Sequence, residues 1–240
     1  MGLGKNIAGS EKALMHKEKY KYIFSEEYFK DRTTVGLNPD YNLVIENYNH
    51  SYKVSTNYGY HIDCQNILLQ DKSSDTLFST RFTFGKLFYH YLLHSNNNEY
   101  LVCGYDLLEF AVYDITNKTE HQFFDICNLD EDSEEDCQNE FWYIKKLFYN
   151  AENNLLAITG QDGMNVSTVT VCDFSNPDDF FSYRATNLGK YINDTYGDYC
   201  CSAHGWAGNK LQLSVCEENS MYIDLDESEI ISLINMRIKG

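Results

Sequence analysis

The sequence predicts an all-β protein built from repeated antiparallel meanders of about 55 residues, closed by a short C-terminal helix. Three observations predict it. A polar turn leading into an apolar strand recurs at 40–45, 97–104, 153–158 and 208–213, and between the markers Asn42, Glu99, Asn154 and Asn209 the spacings are 57, 55 and 55 residues. The 240 residues include 20 Tyr and 14 Phe but only two Pro, a balance that favours aromatic-rich sheets over linkers or disorder. A strand ending in Asp and a polar turn also recurs: Val112-Tyr113-Asp114-Ile115-Thr116-Asn117 matches Val171-Cys172-Asp173-Phe174-Ser175-Asn176 almost class for class.

In chain order, residues 1–16 read as a flexible leader and 17–240 as a single domain, a length one all-β core can fill. Residues 17–29 begin with basic and aromatic residues in alternation, which predicts a strand with Tyr20, Tyr22 and Phe24 on one face. The repeats start near Arg32. The Asp of the first unit stands either in Ile62-Asp63-Cys64 or in Leu68-Leu69-Gln70-Asp71, and the additional strand-like residues there leave room for a further unit. Residues 141–181 form the clearest copy: turn residues 150–154, a buried strand at 155–160, and an alternating stretch at 167–172 that reads as a half-buried strand. Tyr222-Ile223-Asp224-Leu225 supplies a weaker copy of the Asp marker. Over 226–239 the period changes: Ile230, Leu233, Ile234 and Ile238 share a helical face, with acids at the start and bases at the end.

The Asp has a physical role at each turn, since its carboxylate can take nearby backbone N–H groups before the chain enters the next strand. In this the chain resembles the WD-repeat class of β-propeller over residues 32–227, with Tyr113-Asp114 and Cys172-Asp173 where that family carries its Trp-Asp pair. It departs from that family in having no Trp-Asp dipeptide, no Gly-His pair opening each unit, and longer units. The resemblance implies a β-propeller of four or five blades; an open β-sandwich would use the same meander.

Formal charge is −17, from 36 acidic and 19 basic residues. Residues 1–30 hold six Lys and four Glu, so the acidity belongs to the body. Such a surface disfavours phosphate binding, excludes nucleic acid as a direct partner and suits a basic protein. Eight Cys without a C-x-x-C motif, several within apolar runs, fit a reducing cytoplasm. The competing arrangement, a disulfide between Cys127 and Cys137, requires export, and the first 20 residues lack the apolar segment of a signal peptide. Asn6 stands where myristoylation wants Ser or Thr. Apolar runs long enough to span a membrane are absent from the sequence, so no membrane is expected.

The densest charge is at 130–136, where Asp130, Glu131, Asp132, Glu134, Glu135 and Asp136 surround Ser133. Like charges this close demand an exposed loop, and such a loop can dock and steer a basic protein. Asp130, Asp132 and Glu134 alternate as in a calcium loop, but Glu135 occupies the position where that loop needs Gly. His90 and His94 have helical zinc spacing inside a strand-like run, which favours structural histidines. Cys200 and Cys201 with His204 could be drawn as nucleophile and base, yet adjacent thiols fit a strand with one on each face. Trp142 and Trp206 fall at corresponding ends of two units; Trp206, between Gly205 and Gly208, is the candidate aromatic anchor for a partner. Nucleophile-elbow, phosphate-loop and Rossmann motifs are all missing, so neither an enzymatic activity nor a cofactor or metal is expected.

The acidic, Asn-, Tyr-, Phe- and Cys-rich profile resembles that of bacterial toxin-neutralising immunity proteins. That resemblance implies a one-to-one complex with a basic protein, a cognate nuclease toxin, bound through the acidic loop and Trp206. A propeller scaffold with several partners is the alternative.

Overall fold

The computed structural model describes residues 21–55, 58–82, 88–104, 109–124, 143–161, 166–178, 185–197, 200–215 and 221–238, with positions 9, 11, 14, 15 and 18 before them. Strands dominate, in four antiparallel sheets each taken in chain order. The first holds β1 (Phe29–Gly36), β2 (Tyr41–Ser55), β3 (Tyr58–Asp71) and β4 (Thr76–Phe82). The second holds β5 (Tyr89–Leu93), β6 (Glu99–Gly104), β7 (Glu109–Asp114) and β8 (Thr119–Phe124). The third holds β9 (Tyr143–Asn150), β10 (Leu155–Gln161), β11 (Ser167–Asp173) and β12 (Ala185–Asn187). The fourth has three strands, β13 (Cys201–Ala207), β14 (Lys210–Val215) and β15 (Met221–Asp226). Helix α1 (Gly189–Tyr196) follows β12, and α2 (Glu227–Ile238) follows β15 as expected for the C terminus.

All four repeat markers fall within two residues of the start of the second strand of a sheet. The register explains the period. Each third strand ends in an Asp opposite the first or second residue of the second: Tyr41 with Asp71, Tyr100 with Asp114, Leu155 with Asp173, Lys210 with Asp226. Each carboxylate then accepts a backbone N–H of the following turn, from Ser73 (2.8 Å), Asn117 (2.8 Å), Ser175 (3.0 Å) and Ser228 (3.0 Å). In the first unit Asp71 is therefore the counterpart, not Asp63. In the fourth it is Asp226, not Asp224, which lies inside β15 opposite Gln212.

Three further expectations change. Residues 21–24 form a 3-10 helix in place of a strand, burying Ile23 against Tyr48 and Cys64. The additional strand-like residues of the first unit lengthen β2 and β3 to 15 and 14 residues and add no further unit. β11 is buried on both faces, because its Ser and Thr positions 167, 168 and 170 are covered as well as Val169, Val171 and Cys172. A central strand with small hydroxyl residues can be enclosed this way when each hydroxyl finds a partner, as Thr168 does in Asn187 at 2.9 Å.

The chain divides into two compact units. One comprises Ile7–Tyr91 and Tyr100–Gln122, with a core of Leu43, Ile67, Leu69 and Phe78 packed with Leu101, Cys103, Ala111 and Tyr113. Phe78 and Tyr113 stack there with ring centroids 4.7 Å apart. The other comprises Met1–Asn6, Leu92–Glu99 and Phe123–Gly240. Its core joins Leu155, Ala157, Val169 and Val171 to Leu211, Leu213 and Val215, and both helices contribute to it, α1 through Ile192 and α2 through Ile230 and Ile234. α1 ends where Gly197 turns to φ +78°, its N–H bonded to the Asn193 carbonyl at 2.8 Å. Among the described residues no helix is long and apolar enough to cross a membrane.

Candidate partner-binding surface

The acidic positions Asp130, Glu131, Asp132, Glu134, Glu135 and Asp136 lie outside the described residues, as do the calcium reading built on them, Cys127, Cys137 and Trp142. Trp206 is described. It lies in β13 opposite Leu211, half-buried against the core of its unit, and its indole N–H donates to the Phe148 carbonyl at 3.0 Å. A bulge between Ala203 and Gly205, with Gly205 at φ +143°, sets this orientation by making His204 the additional residue.

On the outer face of the same sheet, His204 Nε2 lies 2.9 Å from Ser214 Oγ, and the His204 ring packs against Tyr222 with centroids 5.7 Å apart. Tyr222 is 74% exposed. Cys201 is buried in the core while His204 is exposed, the alternation expected of a strand. The base drawn in sequence thus engages a serine of β14. Near the sheet's end, Asp226 accepts both the N–H and the hydroxyl of Ser228, which hold its carboxyl below the usual range. The outward side of α2 carries an open depression lined by Ser228, Ile231, Ser232, Asn235 and Met236.

His90 and His94 are in or just beyond β5, not on a helix. Burial lowers the His90 pKa. His94 is 3% exposed; its Nε2–H donates to the Phe174 carbonyl at 2.8 Å while Nδ1 accepts from Asn96 N–H at 3.2 Å. Those two roles require the neutral tautomer and occupy both nitrogens, which is the pattern of a structural histidine. Among the described residues no three His, Cys, Asp or Glu side chains gather in a metal-binding arrangement. None of the described cysteines 64, 103, 172, 200 and 201 is in a disulfide, and burial pushes the Cys103 thiol up.

The sequence reading missed a dense polar cluster in the first sheet. Arg32, Glu46, Asn66 and Arg81 form one row across β1 to β4, each opposite the next. Glu46 is buried; Arg32, Tyr48 (3.0 Å) and Asn66 (2.9 Å) all donate to its carboxylate. Burial alone would raise the Glu46 carboxyl, but these hydrogen bonds outweigh it and the net shift is downward. Tyr48 is pushed up to about 12, by burial first and then by its bond to Glu46. Both shifts favour the protonation states already present at neutral pH, so the cluster clamps strands together and is poorly suited to exchange protons. Its sequence signal was the strand register, which no local motif reveals.

Compared with family models, with curated proteins and with solved structures, the chain matches none of them.

Proposed function

We propose that this chain is a cytoplasmic, acidic binding protein that neutralises a basic protein, and that the partner is a cognate bacterial nuclease toxin whose active site it covers. The observation that carries this reading is the charge: −17 over the chain, with six acids among the seven positions 130–136. A nuclease cleft built for phosphates is cationic, and a carboxylate loop can occupy it in place of nucleic acid while steering the encounter. Trp206 supplies an aromatic anchor already fixed by its bond to Phe148. On the WD-repeat resemblance, the antiparallel meanders correspond to blades of a β-propeller. Cysteines buried within apolar strands, Cys103 and Cys172 among them, fit a reducing compartment.

The experiment is to mix the purified chain with the basic nuclease encoded beside it and to follow both assembly and nucleic-acid cleavage. The expected result is a salt-sensitive one-to-one complex in which cleavage stops. A bound nuclease that still cuts, or a chain that binds several unrelated proteins with no inhibition, favours the scaffold reading.

A further inference from the structure

The fourth sheet ends on β15, and among the described residues no strand pairs with its outer edge, whereas the other three sheets each have a fourth strand. α2 supplies no strand there: it leaves β15 at Glu227, contacts both β15 and β12, and buries Ile230 and Ile234 in the core that holds Leu225. Edge strands are normally protected by Lys, Pro, a bulge or shortness. β1 carries Lys30, Arg32 and a bulge near Phe29, β9 carries Lys145 and Lys146, and β12 is three residues long. β15, MYIDLD, has no Lys, Arg or Pro, as is also true of the edges β5 and β8, but it ends a three-stranded sheet and pairs with β14 through six consecutive residues without a shift.

Its side chains specify what would add to it. Ile223 and Leu225 face the core side, opposite Leu213 and Leu211, while Tyr222 and Asp224 are exposed on the outer face. Asp226, Glu227 and Glu229 follow, against the single cation Lys210 among the neighbours paired with β15. A strand lying beside β15 would meet apolar groups on one face and an aromatic ring with carboxylates on the other.

We infer that the outer edge of β15 receives an extended basic segment of the cationic partner, which pairs with it as the missing fourth strand. Main-chain hydrogen bonds supply the affinity, and alternating cationic and apolar side chains meet Asp224 and Ile223 respectively. The inference rests on the proposed neutralisation of a basic protein and places one of its contacts.

The test uses the full chain and synthetic probes about eight residues long, enough for one strand. One alternates Lys and Val, one replaces Lys by Glu, and one is the Lys–Val peptide with its backbone nitrogens methylated. The Lys–Val peptide should bind and slow hydrogen exchange at the β15 amides, the Glu–Val and methylated peptides should not, and Asp224→Lys, at an exposed position, should weaken binding about tenfold. Equal binding of the methylated peptide, or protection only outside β15, overturns the inference. So does protection of β15 without any peptide in a concentration-dependent dimer, which would assign the edge to a second copy. With the nuclease itself, an inhibited complex in which β15 stays unprotected overturns the edge contact while leaving the proposed function intact; protection of β15 without inhibition does the reverse.

Discussion

Asp114 stands opposite Tyr100 across β6 and β7, and its carboxylate takes both the backbone N–H and the side-chain amide of Asn117, each at 2.8 Å. Asp114 is 2% exposed, so its carboxylate depends on these bonds, while Asn117 lies at the surface. The same relationship, an Asp at the end of a third strand closing the next turn, recurs in every sheet and sets the period of the chain.

Asp114→Ala is accordingly expected to destabilise the protein by about 1–3 kcal/mol, because it removes both charge-assisted hydrogen bonds that close the turn. Asp226→Ala, at the less buried junction of β15 and α2, should cost less. Chemical denaturation of the two variants checks the order; an equal loss at both positions would detach the effect from burial.

Glu46→Ala should cost about 2–3 kcal/mol, since it strands the Asn66 and Tyr48 donors and leaves Arg32 without its carboxylate. The pH dependence has a definite sign. Glu46 is held below its ordinary value of 4.5, so the folded state binds that proton less readily than the unfolded chain. The stabilisation is present above the ordinary value and is lost as pH falls through the folded one. Glu46→Gln should therefore narrow the gap in Tm between neutral and acidic pH, while Asp226, also shifted down, keeps part of it.

At the alkaline end the sign reverses. Tyr48 rises from 10 to about 12, so above pH 10 the unfolded phenol ionises while the folded one retains its proton. Its contribution is present below 10 and disappears as pH climbs through about 12. Tyr48→Phe should flatten this part of the stability curve and cost about 1 kcal/mol at neutral pH through the lost bond to Glu46. Tyr191, likewise raised to about 12, leaves a residual slope.

His94→Ala should lower stability by about 2 kcal/mol by removing the partner of both the Phe174 carbonyl and the Asn96 N–H. Added zinc should not raise the Tm of the unmodified chain, because both ring nitrogens are already engaged. A zinc-dependent increase abolished in the variant would restore the metal reading.

The meander was legible in the sequence because turn chemistry and strand burial are local: polar residues before β2, β6, β10 and β14 and Asp after β3, β7 and β11 mark the sheets directly. The C-terminal helix was legible for the same reason, as Ile230 and Ile234 repeat at helical spacing. What escaped depends on pairing. Asp224 resembles the marker in sequence, but the residue opposite Lys210 is Asp226. Tyr22 and Phe24 alternate like a strand, yet residues 21–24 form a 3-10 helix in which Ile23 turns inward while the rings of Tyr22 and Phe24 pack on His50 and Tyr48. The Glu46 cluster draws its members from β1, β2 and β3, with 14 residues between Arg32 and Glu46 and 20 between Glu46 and Asn66. For the proposed partner-binding residues, charge density was visible at 130–136 and the anchoring of Trp206 by Phe148, 58 residues away, was not.

The association rate of the proposed complex between this chain and a basic nuclease tests the central claim most directly. Measured from low to high salt for the unmodified chain and for a variant with Asp130, Glu131, Asp132, Glu134, Glu135 and Asp136 converted to their amides, the account predicts a rate about tenfold lower in the variant at low salt, converging as salt screens the charge, with unchanged folding stability. An association rate that is the same for both proteins at every salt concentration would contradict it.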